Sequence, residues 1–126
     1  MTDADHEQAA READARSRLL GAGASSLPRP PWLHPRQPPA AADLIRFALW
    51  RAGTGDAGDE VLLAALALLT AARAEADQAE AALLFTARAQ GLSWARISRA
   101  MGLRSAQAAQ QRSGRVAGRA HSQGNG

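Results

Sequence analysis

The chain has 126 residues and a net charge of +3, from fifteen basic residues that are all arginine and twelve carboxylates. It has no cysteine, which excludes disulfides, thiolate catalysis, zinc fingers and iron–sulfur clusters and favours an intracellular location by default. The longest apolar run, Val61 to Leu69, is about half of the roughly 20 residues a bilayer span needs, and the acidic start MTDADHEQ has no apolar core of a secretory signal. The chain is therefore expected to be cytoplasmic, with no membrane partner.

Alanine is so abundant and lysine so absent that the composition resembles that of a GC-rich coding sequence. The lack of lysine is therefore not read as functional. The distribution of charge is more informative. Residues 1–80 hold twelve acids against eight arginines, a net of −4. Residues 81–126 hold Arg88, Arg96, Arg99, Arg104, Arg112, Arg115 and Arg119 and no acid at all. An acid-free, arginine-rich half is the electrostatic footprint of a protein that sits on phosphate.

Residues 1–41 are predicted to be a disordered acidic and Pro-rich N-terminal segment. Within it, residues 1–20 offer only Leu19 and Leu20 as apolar anchors, and an isolated helix of that length is marginal in water. Residues 21–41 carry all six prolines and read as an extended linker. Trp32 stands out there; it either packs back on the folded part or binds a partner, and packing back is the expectation.

Residues 42–80 are predicted to form an apolar helical hairpin and candidate dimerisation region. ADLIRFALWRA, residues 42–52, is apolar around more than half of its circumference and must be covered by something. A Gly-rich loop ends it at 53–58. Asp59 is a candidate N-cap, and from there to about Ala89 no Gly or Pro interrupts the chain. Two segments are expected in this stretch. The first packs on helix 42–52, from the same or a second subunit, and the second opens a three-helix unit. Arg73 and Glu80 interrupt its 3.5-residue seam, which argues against a long coiled coil.

Residues 81–114 are predicted to be a helix-turn-helix DNA-binding unit. Gln90-Gly91 closes the long helix, and Ser93 caps a short one from Trp94 to Met101 whose inward face is Trp94, Ile97 and Met101. Gly102 begins the turn, Leu103 plugs the core, and Ser105 caps a last helix from Ala106 to about Arg112 or Ser113. Arg96, Arg99 and Arg104 are candidate phosphate clamps. Ser105, Gln107, Gln110, Gln111 and Arg112 are candidate groups on the DNA side, since Gln pairs bidentately with adenine and Arg with guanine. Residues 115–126 are predicted to be a flexible basic tail, with Arg115 and Arg119 as an arm on phosphate or as solvated charge.

The run Gly91-Leu92-Ser93-Trp94-Ala95-Arg96-Ile97, then Met101-Gly102-Leu103-Arg104-Ser105, then Gln107-Ala108-Ala109-Gln110-Gln111-Arg112 resembles small helix-turn-helix proteins of high-GC bacteria. These look related to the DNA-binding region of sigma factors. The resemblance covers about half the chain and implies a transcriptional regulator. Ala106 stands where that family carries Arg. Ser113-Gly114 stand where it carries a bulky aromatic, and they are expected to end the last helix early.

The fold expected is all-α, a long helix followed by a C-terminal helix-turn-helix with flexible tails. The expected partners are double-stranded DNA and a second copy of the chain in a homodimer. The alternatives are an adaptor that docks a protein partner through the apolar 44–69 region and a sequence-blind nucleoid protein. No enzyme is read. His6, His34 and His121 lie in separate segments, the trio Asp56, Asp59 and Glu60 reads as a loop and a helix start, and no cofactor or metal is expected.

Overall fold

The computed structural model describes residues 2–55 and 57–124, with side chains through Gly118. Among these residues the fold is all-α, with six helices and no strand: α1 (Asp3–Gly21), α2 (Ala41–Gly53), α3 (Asp59–Ala67), α4 (Leu69–Ala89), α5 (Trp94–Met101) and α6 (Ala106–Gly124), plus a 3-10 turn at Ala24–Ser26. No described helix is long and apolar enough to cross a membrane. The chain divides into two compact units, the first ending at Glu75 and the second beginning at Ala76. The boundary lies a turn or so before the 80/81 division expected from the charge pattern.

In the first unit the N-terminal segment corrects the expectation of disorder. Thr2 and Asp5 form a reciprocal capping box: the Thr2 hydroxyl oxygen accepts from the Asp5 N–H at 3.2 Å, and the Asp5 carboxylate accepts from the Thr2 N–H at 3.1 Å. Those hydrogen bonds, the backbone one first, hold the Asp5 carboxyl below the ordinary Asp range. The helix they start does not stand alone. Ala15 and Leu19, one turn apart, are buried in a core with Ala41, Leu44, Phe47, Ala48, Ala64, Ala65 and Leu68. Leu19, Leu44 and Leu68 are fully enclosed, each contributing about 1.5–3 kcal/mol of burial. The two leucines that looked too few to anchor a helix are enough because α3 and α2 supply the other walls.

The Pro-rich segment is likewise held. Arg29 donates from Nη2 to the carbonyls of His34 and Gln37, and Arg16 donates from Nη1 to the Pro39 carbonyl at 2.8 Å. Trp32 does not pack back; it is 83% exposed. The first residue of α2 follows Ala40, which has no side chain to cap with. Glu75 of α4 takes that place, accepting from the Ala41 and Ala42 N–H groups at 2.8 and 3.2 Å, and Arg16 lies 3.9 Å from the same carboxylate.

The uninterrupted 59–89 stretch breaks at Leu68, which leaves helical geometry (φ −94°, ψ 0°) with its N–H bonded three residues back to Ala65. No helix breaker is present; the fully buried Leu68 side chain marks where the chain turns into the core. α3 packs on both α1 and α2. From Val61 onward it is apolar but covered on one side only. Ala64, Ala65 and Leu68 face inward, while Leu62, Leu63 and Leu66 stay exposed on the other side, Leu63 at 64% and Leu66 at 60%.

Candidate nucleic-acid interface

The second unit is built on a core of Leu84 from α4, Ile97 from α5 and Ala109 from α6, with Ala87, Leu92, Trp94, Met101 and Leu103 packed around it. Its junctions follow local rules. α4 ends with Gly91 at φ 91°, where the Leu92 N–H reaches back to the Ala87 carbonyl at 3.0 Å and the Leu92 side chain turns into the core. The Ser93 hydroxyl then accepts from the Arg96 N–H at 3.2 Å, capping α5. α5 ends on Gly102 in the left-handed region (φ 71°, ψ 24°), and the Leu103 N–H bonds the Ser98 carbonyl at 2.8 Å. A side chain at Gly102 would be strained there, which explains the glycine. Ser105 caps α6 by accepting from the Ala108 N–H at 3.2 Å. α5 and α6 pack on each other across this four-residue turn.

Arg88 is structural. Its guanidinium lies 4.9 Å from the centre of the Trp94 ring, and Nη1 donates to the Leu92 carbonyl at 2.9 Å. Trp94 is thereby clamped between the core and a cation.

α6 corrects two expectations. It does not end at Ser113-Gly114 but continues to Gly124, so residues 115–124 are helical where a flexible tail was expected. Val116, wholly buried, is the anchor that the sequence reading missed. It stands two turns beyond Ala109, on the same face. The side chain of Arg119 lies outside those described, as do Asp56 and the side chain of His121.

The candidate residues separate into two groups. Arg96, Arg99, Arg104, Ser105, Gln107, Gln110, Gln111 and Arg115 are all exposed. On α6, Gln107, Gln110, Gln111 and Arg115 fall within about 140° of arc, opposite Ala109 and Val116. The guanidinium groups of Arg96, Arg99, Arg104 and Arg115 meet no carboxylate among the described residues. Arg112 departs from its expected place among base-reading groups. It turns inward, and its Nε and Nη2 lie 2.9 and 2.8 Å from Oε1 of Glu80. The signal for this was present: Glu80 is the last carboxylate of the chain, sits where the α4 seam turns polar, and needed a partner. Ala106 is half-buried.

No known protein family, curated protein or solved structure matches the chain.

Proposed function

We propose that the protein is a DNA-binding transcriptional regulator whose α5–turn–α6 segment acts as a helix-turn-helix, as its resemblance to the small sigma-factor-like regulators implies. The observations that carry this reading are the exposure of Arg96, Arg99, Arg104 and Arg115, none paired with a carboxylate among the described residues, and the exposed Gln107, Gln110 and Gln111 of α6. Arginine suits phosphate clamping because its fork of donors fits two oxygens at once, and glutamine presents a donor and an acceptor to a base edge. Residues 76–126 carry seven arginines against Asp77 and Glu80, a net of +5, so the surface attracts a polyanion before any specific contact forms. Arg112 supports this surface from behind through Glu80.

Fluorescence anisotropy on labelled duplex DNA across a salt series tests the proposal. Four neutralised phosphates correspond to a slope of about −3.6 in log K against log salt. Folded protein that binds no duplex at low salt would overturn it. Equal affinity for random and genomic fragments would instead make the protein a sequence-blind nucleoid component.

A second reading rests on α3. Leu62, Leu63 and Leu66 form an exposed apolar face beside acidic Asp59 and Glu60, and a second copy of the chain or a protein partner would cover it. With a second copy, this reading joins the first as the homodimer. With a foreign partner it makes the protein an adaptor. An Arg96/Arg99/Arg104→Ala triple variant would then keep its partner and its phenotype, whereas a DNA binder loses both.

A further inference from the structure

We infer that the first unit holds a binding site for a small planar aromatic monoanion, in the cavity between the Pro-rich segment and α2. The cavity encloses about 520 Å³, within the range of small-molecule sites. Its walls are the rings of Trp32, Phe47 and Trp50, with Leu33, Pro28, Pro30 and Pro39. Phe47 and Trp50 pack against each other with ring centres 6.2 Å apart and planes tilted by 45°. Trp32 at 83% exposure and Trp50 at 63% are both left facing water around the same cavity. Two indoles wetted in this way forgo a large burial gain, and a flat apolar ring stacked between such walls would recover it.

The polar groups select the charge. Arg29, Arg46 and Asp43 line the cavity, two cations against one carboxylate. Arg29 is tied to the carbonyls of His34 and Gln37, which stiffens the wall it belongs to. Arg46 is the available donor: its side chain is 77% exposed and meets Asp43 at only 3.6 Å. A carboxylate on the ring's edge would take up Arg46 donors that Asp43 leaves unused. Apolar flat walls with one guanidinium at the rim that Asp43 only partly occupies thus fit an aromatic carboxylate better than a neutral ring or an aromatic cation.

The site makes no use of the arginines proposed to hold DNA, so its test is independent of that proposal. The probe is 2-naphthoate, with the neutral isostere 2-naphthamide, added to the 15N-labelled full chain. The three indole N–H resonances are assigned by Trp32→Phe, Trp50→Phe and Trp94→Phe. The Trp32 and Trp50 signals are expected to shift saturably with Kd about 0.1–1 mM while Trp94 stays fixed. Arg46→Gln, an exposed change that leaves the core alone, is expected to weaken 2-naphthoate about tenfold and leave 2-naphthamide unchanged. Four results would overturn the inference: no saturable shift, an equal shift at Trp94, an Arg46→Gln effect that does not distinguish the two probes, or tighter binding of a proline-rich peptide to the same indoles.

Discussion

Arg112 of α6 holds Glu80 of α4 through two nitrogens on one carboxylate oxygen, at 2.8 and 2.9 Å. The pair is partly shielded, with Glu80 22% and Arg112 43% exposed, so its contribution is about 1 kcal/mol. With Arg88, Arg112 makes two structural arginines in the second unit, set apart from Arg96, Arg99, Arg104 and Arg115, which face solvent. Glu80→Gln is expected to lower stability by about 1 kcal/mol in urea unfolding. The same change frees Arg112 and adds one positive charge, so the salt slope for duplex binding should steepen by about 0.9. An unchanged slope with the stability loss intact would mean that Arg112 is too far from the DNA side to contribute.

Gly114 and Gly118 lie within α6, and a methyl group built on either meets nothing within 4 Å. Glycine costs about 1 kcal/mol relative to alanine inside a helix. Gly114→Ala and Gly118→Ala should therefore each stabilise the protein by about 0.5–1 kcal/mol in chemical denaturation. A helix that stopped at Ser113 would give no such gain. Val116→Ala should act in the opposite direction, losing about 2 kcal/mol with the buried methyl groups.

These residues also show where the sequence was legible. The α5 boundaries were readable because Ser93, Gly102 and Leu103 have local signatures: a hydroxyl that caps, a residue that tolerates positive φ, an apolar side chain placed just after it. The exposed arginines and glutamines followed from the same helical phase. The first unit was obscured because alanine serves as a core residue there. Ala15, Ala41, Ala48, Ala64 and Ala65 are all buried, yet in an alanine-rich chain they stand out no more than exposed alanines do. For α1 only Leu19 and Leu20 were weighed as anchors, and the Thr2–Asp5 capping box went unread; the remaining anchors arrive from α2 and α3, far along the chain. Gly114 misled for the related reason that propensity is weak against burial: one enclosed valine two residues on is enough to carry the helix through.

The exposed leucines of α3 predict self-association. Leu63→Glu with Leu66→Glu should leave the fold intact, because neither side chain is in the core, and convert dimer to monomer in sedimentation velocity at micromolar concentration. Wild-type protein that is already monomeric there would remove the homodimer and leave the face for a foreign partner.

Asp5 predicts a pH response confined to the start of α1. Its carboxyl titrates below the ordinary Asp range because the folded state gives it the Thr2 hydrogen bonds. The support it lends the first turn is therefore complete at pH above that range and disappears as pH falls through the lowered value. Amide protection in the first turn of α1, taken relative to the intrinsic exchange rate at each pH, should fall on acidification, and Asp5→Asn should lower it already at neutral pH.

The cap that Glu75 places on α2 has a consequence for how the chain is made. α2 begins without a cap of its own, and the group that satisfies its first N–H donors lies 34 residues further on. While the protein emerges from the ribosome, the Ala41 and Ala42 N–H groups of α2 are left to water until Glu75 has left the exit tunnel. By then α1, which brings its own capping box, has long been outside. A nascent chain stalled before residue 75 would present the start of α2 uncapped, with its first N–H donors open to whatever chaperone stands nearby.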